Sequence, residues 1–145
     1  VEISNKSEYA LLALLELATR YSSGESLQIR QMAELQDIPN RYLEQLLATL
    51  RRRGLIKSIR GAKGGYVLAR DPGKITLLEA WICIEGVETV ISPTEKSSGT
   101  LENQIIQEIW QEARQAANAV LEKYTLQDLC ERRGKKQQKQ LMYYI

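Results

Sequence analysis

Apolar positions along this chain change period several times, and each change marks an element. Ala10, Leu14, Leu17, Ala18 and Tyr21 recur at helical spacing. Before them, Asn5, Lys6, Ser7 and Glu8 read as an N-cap with an acid three residues on, a capping-box variant, and Gly24 supplies the stop. Residues 29–36 form a shorter helix with Ile29, Met32, Ala33 and Leu35 as its apolar set. Asp37, Ile38, Pro39 and Asn40 make a tight connection, because proline disfavours helix at the residue before it and is well suited to opening the next one. In the third helix, residues 40–53, Leu43, Leu46, Leu47 and Leu50 sit at i, i+3, i+4 and i+7, a stripe read as core rather than as a binding groove. An advance of about 100° per residue puts Arg41, Gln45, Ala48 and Arg52 on the opposite face, flanked by Glu44 and Thr49. Gly54 ends this helix. Two helices joined by a few residues, the second basic on its outer face, predict a helix-turn-helix.

Beyond Gly54 the period shortens. Residues 55–60 and 66–69 are rich in Ile, Val and Tyr and flank the turn Gly61, Ala62, Lys63, Gly64, Gly65, which predicts a β-hairpin with Arg60 and Lys63 at its tip. Asp71, Pro72 and Gly73 turn the chain, and Thr76 with Glu79 caps a short apolar helix that stops near Gly86. Residues 87–100 read as a polar loop. Residues 101–124 then form one long helix of about 35 Å at 1.5 Å per residue. Its stripe is Leu101, Ile105, Ile109, Ala113, Ala116, Val120 and Tyr124, broadened by Ile106, Ala117 and Leu121. So much apolar surface on so long a helix exceeds what a small body can cover, so pairing with a second copy is its natural use. Thr125 and Asp128 cap a further short helix ending near Arg133, followed by a solvated or disordered basic tail and the apolar terminus Leu141, Met142, Tyr143, Tyr144, Ile145. The expected organisation is a DNA-binding unit over residues 1–86, a loop over 87–100 and a dimerisation part over 101–145. The fold class is mainly α with a small β-hairpin wing.

Charge sharpens this picture. Residues 41–70 hold eight Lys/Arg and one acid, Glu44, a balance of +7 in a chain whose total is +2, so the remainder carries −5. Such asymmetry marks a surface for a polyanion. The chain has no histidine, which removes the commonest general base and zinc ligand and argues against an enzyme. Its two cysteines, Cys83 and Cys130, make no disulfide framework and fit a reducing cytoplasm. Cys83 reads as a small buried hydrophobe, and Trp81 and Trp110 read as packing anchors. The opening VEISNKSEYA has no leader pattern, and no apolar run is long enough to span a bilayer.

The run YLEQLLATLRRRGLIKSIRGAKGGYVLARDPGKITLLE resembles the bacterial winged-helix repressors typified by IscR, NsrR and CymR, in which YLEQL on the recognition helix precedes a wing of the form GL(I/V)xSxRGxxGGYxL. The likeness extends back to SNKSEYALLALLELA and forward to Gly86, and the long helix sits where that family dimerises. The resemblance implies a homodimeric repressor of double-stranded DNA, with Arg41, Glu44 and Gln45 facing base edges in the major groove and Arg60 entering the minor groove. Lys6, Tyr42, Lys57, Ser58 and Lys63 fall where that family meets phosphate, and Arg52 joins the same face. Several members hold an iron–sulphur cluster through three cysteines before the dimer helix, some with a histidine just after. Alignment on Trp110 puts those positions at Ser92, Ser98, Gln104 and Gln107, none of them a thiolate or imidazole. The resemblance is therefore to the cluster-free CymR-like branch, with no cofactor expected. It leaves open a metabolic enzyme of cysteine biosynthesis as partner, or a sensor with atypical ligands through Cys83 or Cys130.

Overall fold

In the computed structural model, which describes residues 2–86 and 99–144, the chain runs α1 (Asn5–Thr19), α2 (Ile29–Gln36), α3 (Asn40–Arg52), β1 (Ile56–Ile59), β2 (Gly65–Leu68), a 3-10 turn (Pro72–Lys74), α4 (Leu77–Glu85), α5 (Leu101–Lys123) and α6 (Leu126–Tyr143). Residues 87–98, which include the predicted loop positions Ser92 and Ser98, lie outside the described residues.

One core serves the first half. Ala10, Ala13, Leu14 and Leu17 of α1 close over Met32 of α2 and over Leu43, Leu46, Leu47 and Leu50 of α3, with Leu55, Ile56 and Leu68 from the hairpin and Ala80 and Ile84 from α4. The α3 stripe is buried as its spacing predicts, and Gly54 follows in the left-handed conformation, φ 80°, that a side chain would disfavour. The strands pair antiparallel, Ile56 with Leu68 and Ile59 with Gly65. From the far end of the chain, Leu126 at the start of α6 is fully buried and joins that helix to the same cluster.

Several expectations are corrected. The N-cap of α1 is Ser4 rather than Asn5: Ser4 is extended and its Oγ accepts from the Ser7 amide at 3.1 Å, while Asn5 is already helical. Tyr21 falls beyond the end of α1 and is exposed. Leu35 is 51% exposed, because Gln36 takes the inward place on α2 and donates to Glu16. Trp110 is 69% exposed, so it is not a buried packing anchor. The predicted short last helix continues through Gly134 to Tyr143, so the basic segment is helical. Gly134 does not interrupt it, since glycine stops a helix by turning left-handed and here it does not. A reciprocal Thr125–Asp128 capping box starts α6, and Arg133 ties it to Glu16 at 2.9 Å.

Glu16 is 0% exposed. It receives Arg20 at 2.7 Å, Gln36 at 2.6 Å and Arg133 at 2.9 Å, so α1, α2 and α6 meet on one carboxylate. Burial pushes this carboxyl upward, but the Arg20 and Gln36 hydrogen bonds and the Arg133 and Arg20 charges outweigh it and hold it below its ordinary value.

The long helix α5 is arranged the other way round. Its half-buried positions include the polar Gln111, Arg114 and Asn118, with Ala117 and Leu121. The predicted stripe faces outward: Leu101, Ile105, Ile109 and Val120 are each more than half exposed, and Ala113 and Ala116 are exposed with them. Tyr124 leaves the stripe. It is the half-buried C-cap, with the cations of Lys123 and Arg132 at 5.7 and 4.9 Å from its ring centre.

Candidate nucleic-acid interface

Packing the leucine stripe of α3 inward leaves Arg41, Glu44, Gln45 and Arg52 exposed on its outer side. The N-terminus of α1 comes alongside, so Lys6, Tyr42, Gln45 and Arg52 line one open hollow together with Arg51. Tyr42 is half-buried, its ring edge-on to Tyr9 of α1 with centroids 5.6 Å apart, which braces the start of α3. Arg52 donates to Thr49 at 3.3 Å along the same helix.

The wing is held by contacts that its own sequence does not announce. Leu27, ahead of α2, exchanges two backbone hydrogen bonds with Tyr66, at 3.0 and 2.7 Å, and Ser26 Oγ donates to the Lys63 carbonyl at 2.7 Å. A side-chain carbon at Gly65 would lie 2.5 Å from the Leu27 oxygen, and one at Gly64 would lie 2.3 Å from the Ile59 oxygen. The glycine pair is thus required by close backbone approach. Lys57, Ser58, Arg60 and Lys63 are all exposed on this hairpin. Arg60 borders a second open hollow with Gln28, Ile29 and Arg30 at the start of α2.

The predicted residues therefore fall into two neighbouring groups, one around α3 and one on the wing, and Arg41 and Glu44 border neither hollow. Arg70, counted in the basic segment, is committed to Glu79 at 2.7 and 2.8 Å and adds little to that surface. Two further cations, not among the expected contacts, border these hollows. Arg51 sits at the end of α3 beside Arg52, and Arg30 lies ahead of the basic segment. The signal for Arg30 is its place in the first turn of a helix-turn-helix's first helix, where backbone amides and a cation suit a phosphate.

A buried leucine-faced helix with a polar outer side, preceded by a short helix and followed by a two-stranded wing, defines a winged helix-turn-helix DNA-binding protein. Residues 3–132 match the Rrf2 family, described as iron-dependent transcriptional regulators, and the chain belongs to that family. It is 37% identical over 143 residues to the HTH-type transcriptional regulator CymR of Bacillus subtilis, covering 99% of each chain. The solved structure of B. subtilis CymR, a global cysteine regulator, superposes with a TM-score of 0.76 at 34% identity, covering 90% of this chain and 97% of that one. T. potens IscR superposes with a TM-score of 0.80 at 31% identity, covering 94% and 91%. The protein is a transcriptional regulator, not an enzyme, and its full-length likeness to CymR supports the CymR-like branch.

The family's association with iron can be tested on the donor set. The chain has two cysteines and no histidine, and among the described residues no group of three or more His, Cys, Asp or Glu could hold a metal. Cys83 and Cys130 are both half-buried on separate helices, and burial, with Glu79 adding to it, raises the Cys83 thiol above its ordinary value. Gln104 and Gln107 are exposed side chains of α5 and offer no thiolate or imidazole. These residues do not fit a cluster of the family's kind.

Proposed function

We propose that the chain acts as a homodimeric repressor on a palindromic operator. Two copies present α3 to the major groove, with Arg41, Glu44 and Gln45 at base edges, and Arg60 enters the minor groove from the wing. Arg and Gln match the paired groups of guanine and adenine edges, and a narrow minor groove attracts guanidinium. Lys6, Tyr42, Arg52, Lys57, Ser58 and Lys63 meet phosphates. The observation that carries this reading is the shared hollow in which Lys6, Gln45 and Arg52 converge from α1 and α3.

The second copy is supported by α5, which turns polar residues toward its own body and apolar ones toward solvent. An outward stripe of this length suits a partner with the same stripe. We read residues 1–86 as the DNA-binding unit and 101–145 as the part that assembles two of them. Among the described residues no helix is long and apolar enough to cross a membrane. A regulator of this kind works in the cytoplasm, where its DNA is.

Equilibrium binding to an operator duplex across a salt series tests this. Affinity should fall with a log–log slope of about −0.9 per phosphate contacted, and Arg60→Ala should weaken operator binding with the dimer intact. Salt-insensitive binding, or equal affinity for random duplex, contradicts the proposal. A second reading, regulation through a cysteine-biosynthesis enzyme, draws on the likeness to CymR and on the exposed Leu141, Met142, Tyr143 and Tyr144 at the end of α6. It predicts co-purification with an enzyme that changes operator affinity.

A further inference from the structure

One carboxylate sits beside the surface read as meeting phosphates, where it would repel them. Glu85, the last residue of α4, accepts hydrogen bonds at a single oxygen, Oε1, from the hydroxyls of Ser4 and Ser7, the latter at 2.6 Å. Ser4 is the N-cap of α1 and Ser7 is buried, so both ends of the first turn of α1 are fastened to the end of α4. Between them in the chain stands Lys6, exposed, bordering the hollow that it shares with Gln45 and Arg52. The serine hydrogen bonds hold the Glu85 carboxyl below its ordinary value, with the Lys6 charge contributing, so the group is anionic at neutral pH.

An anion beside a surface that meets phosphates weakens binding by repulsion. What it supplies instead is geometry. Lys has a long side chain with much rotamer freedom, and its reach toward a phosphate depends on where its backbone is held. Two hydroxyl bonds from the residues bracketing Lys6 fix that backbone against α4.

We propose that Glu85 is a positioning residue for DNA binding: through Ser4 and Ser7 it sets the first turn of α1 so that Lys6 meets a phosphate beside the α3 site. This rests on the reading of Lys6 as a phosphate contact, and the test separates the two. Affinity for an operator duplex is measured over a salt series for the wild type, Lys6→Ala, Glu85→Ala, Glu85→Gln and Lys6→Ala/Glu85→Ala.

Lys6→Ala should reduce the magnitude of the log–log slope by about 0.9. Glu85→Ala should reduce it similarly, and the double variant should lose no more than either alone. Glu85→Gln, whose amide oxygen still accepts from both serines, should retain the wild-type slope. Ser7→Ala, which removes one of the two hydroxyl bonds and leaves the Ser4 cap in place, should show a smaller loss in the same direction and carries the test if Glu85→Ala does not fold. A full Lys6 effect with wild-type slopes in Glu85→Ala or, failing that variant, in Ser7→Ala overturns the positioning role alone. Tighter binding in both Glu85→Ala and Glu85→Gln also overturns it, since Glu85 would then act only as a repelling charge. An unchanged slope in Lys6→Ala overturns the phosphate contact and the positioning role together.

Discussion

In α3, Leu43 and Leu47 lie one turn apart and are fully buried, whereas in α5, Ile105 and Ile109 have the same spacing and are 52% and 55% exposed. The difference lies in what each helix has beside it. α1, α2 and α4 all pack against α3, so its apolar face is consumed and its polar face is left for another molecule. α5 packs on α4 and uses Gln111, Arg114 and Asn118 among its half-buried positions, leaving its apolar face unmatched. The same periodic pattern thus marks a finished core in one place and an unfinished one in the other. The first supports a reading surface and the second supports a partner copy.

Truncation separates the two stripes most sharply. Leu47→Ala should cost about 2–5 kcal/mol of stability, read as a shifted denaturant midpoint, because it opens a cavity in a closed core. Ile109→Ala, measured at a concentration where the chain is monomeric, should stay within about 0.5 kcal/mol of wild type, since that side chain is already in water. Comparable losses would erase the distinction between the stripes.

A charge placed in the open stripe comes next. Ile109→Asp puts one carboxylate from each copy into a two-fold interface, and association should weaken by about 3 kcal/mol or more while circular dichroism keeps its helical signal. Sedimentation equilibrium reads the outcome directly. A variant as dimeric as the wild type would move the interface elsewhere.

A smaller loss than those of Leu47→Ala and Ile109→Asp concerns the junction between the halves, at Glu16. Its carboxyl is held below its ordinary value in the folded chain, so the unfolded chain binds the proton more readily as pH falls. The stabilisation is present above the unfolded pKa, about 4.3, and disappears as pH drops through the lower folded value. Glu16→Gln should therefore cost about 1 kcal/mol at pH 7, and the gap from wild type should narrow in acid. A gap independent of pH would remove the carboxylate's charge from the account.

Legibility in the sequence follows the same division. The bounds of α2 and the buried face of α3 are readable because a single repeat of apolar residues is matched by local punctuation at Pro39 and Gly54. Elements held by distant partners are not. The docking of α6 uses Arg133 reaching Glu16 across 117 residues of chain, and the wing depends on Leu27 bonding Tyr66. Neither pairing has a local signature. Among the site residues, Arg41, Gln45 and Arg52 follow from helical spacing, while Arg30 needs the folded arrangement to bring it beside Arg60.

Selection of bound duplexes from a random pool, with the stoichiometry of the selected complex measured, tests the central claim most directly. Two copies of α3 held by one α5 pairing should select an inverted repeat whose half-sites lie about 34–36 Å apart or a multiple of that, bound by two chains. An asymmetric single site bound by one chain with full affinity, or a pool without sequence enrichment, would contradict it.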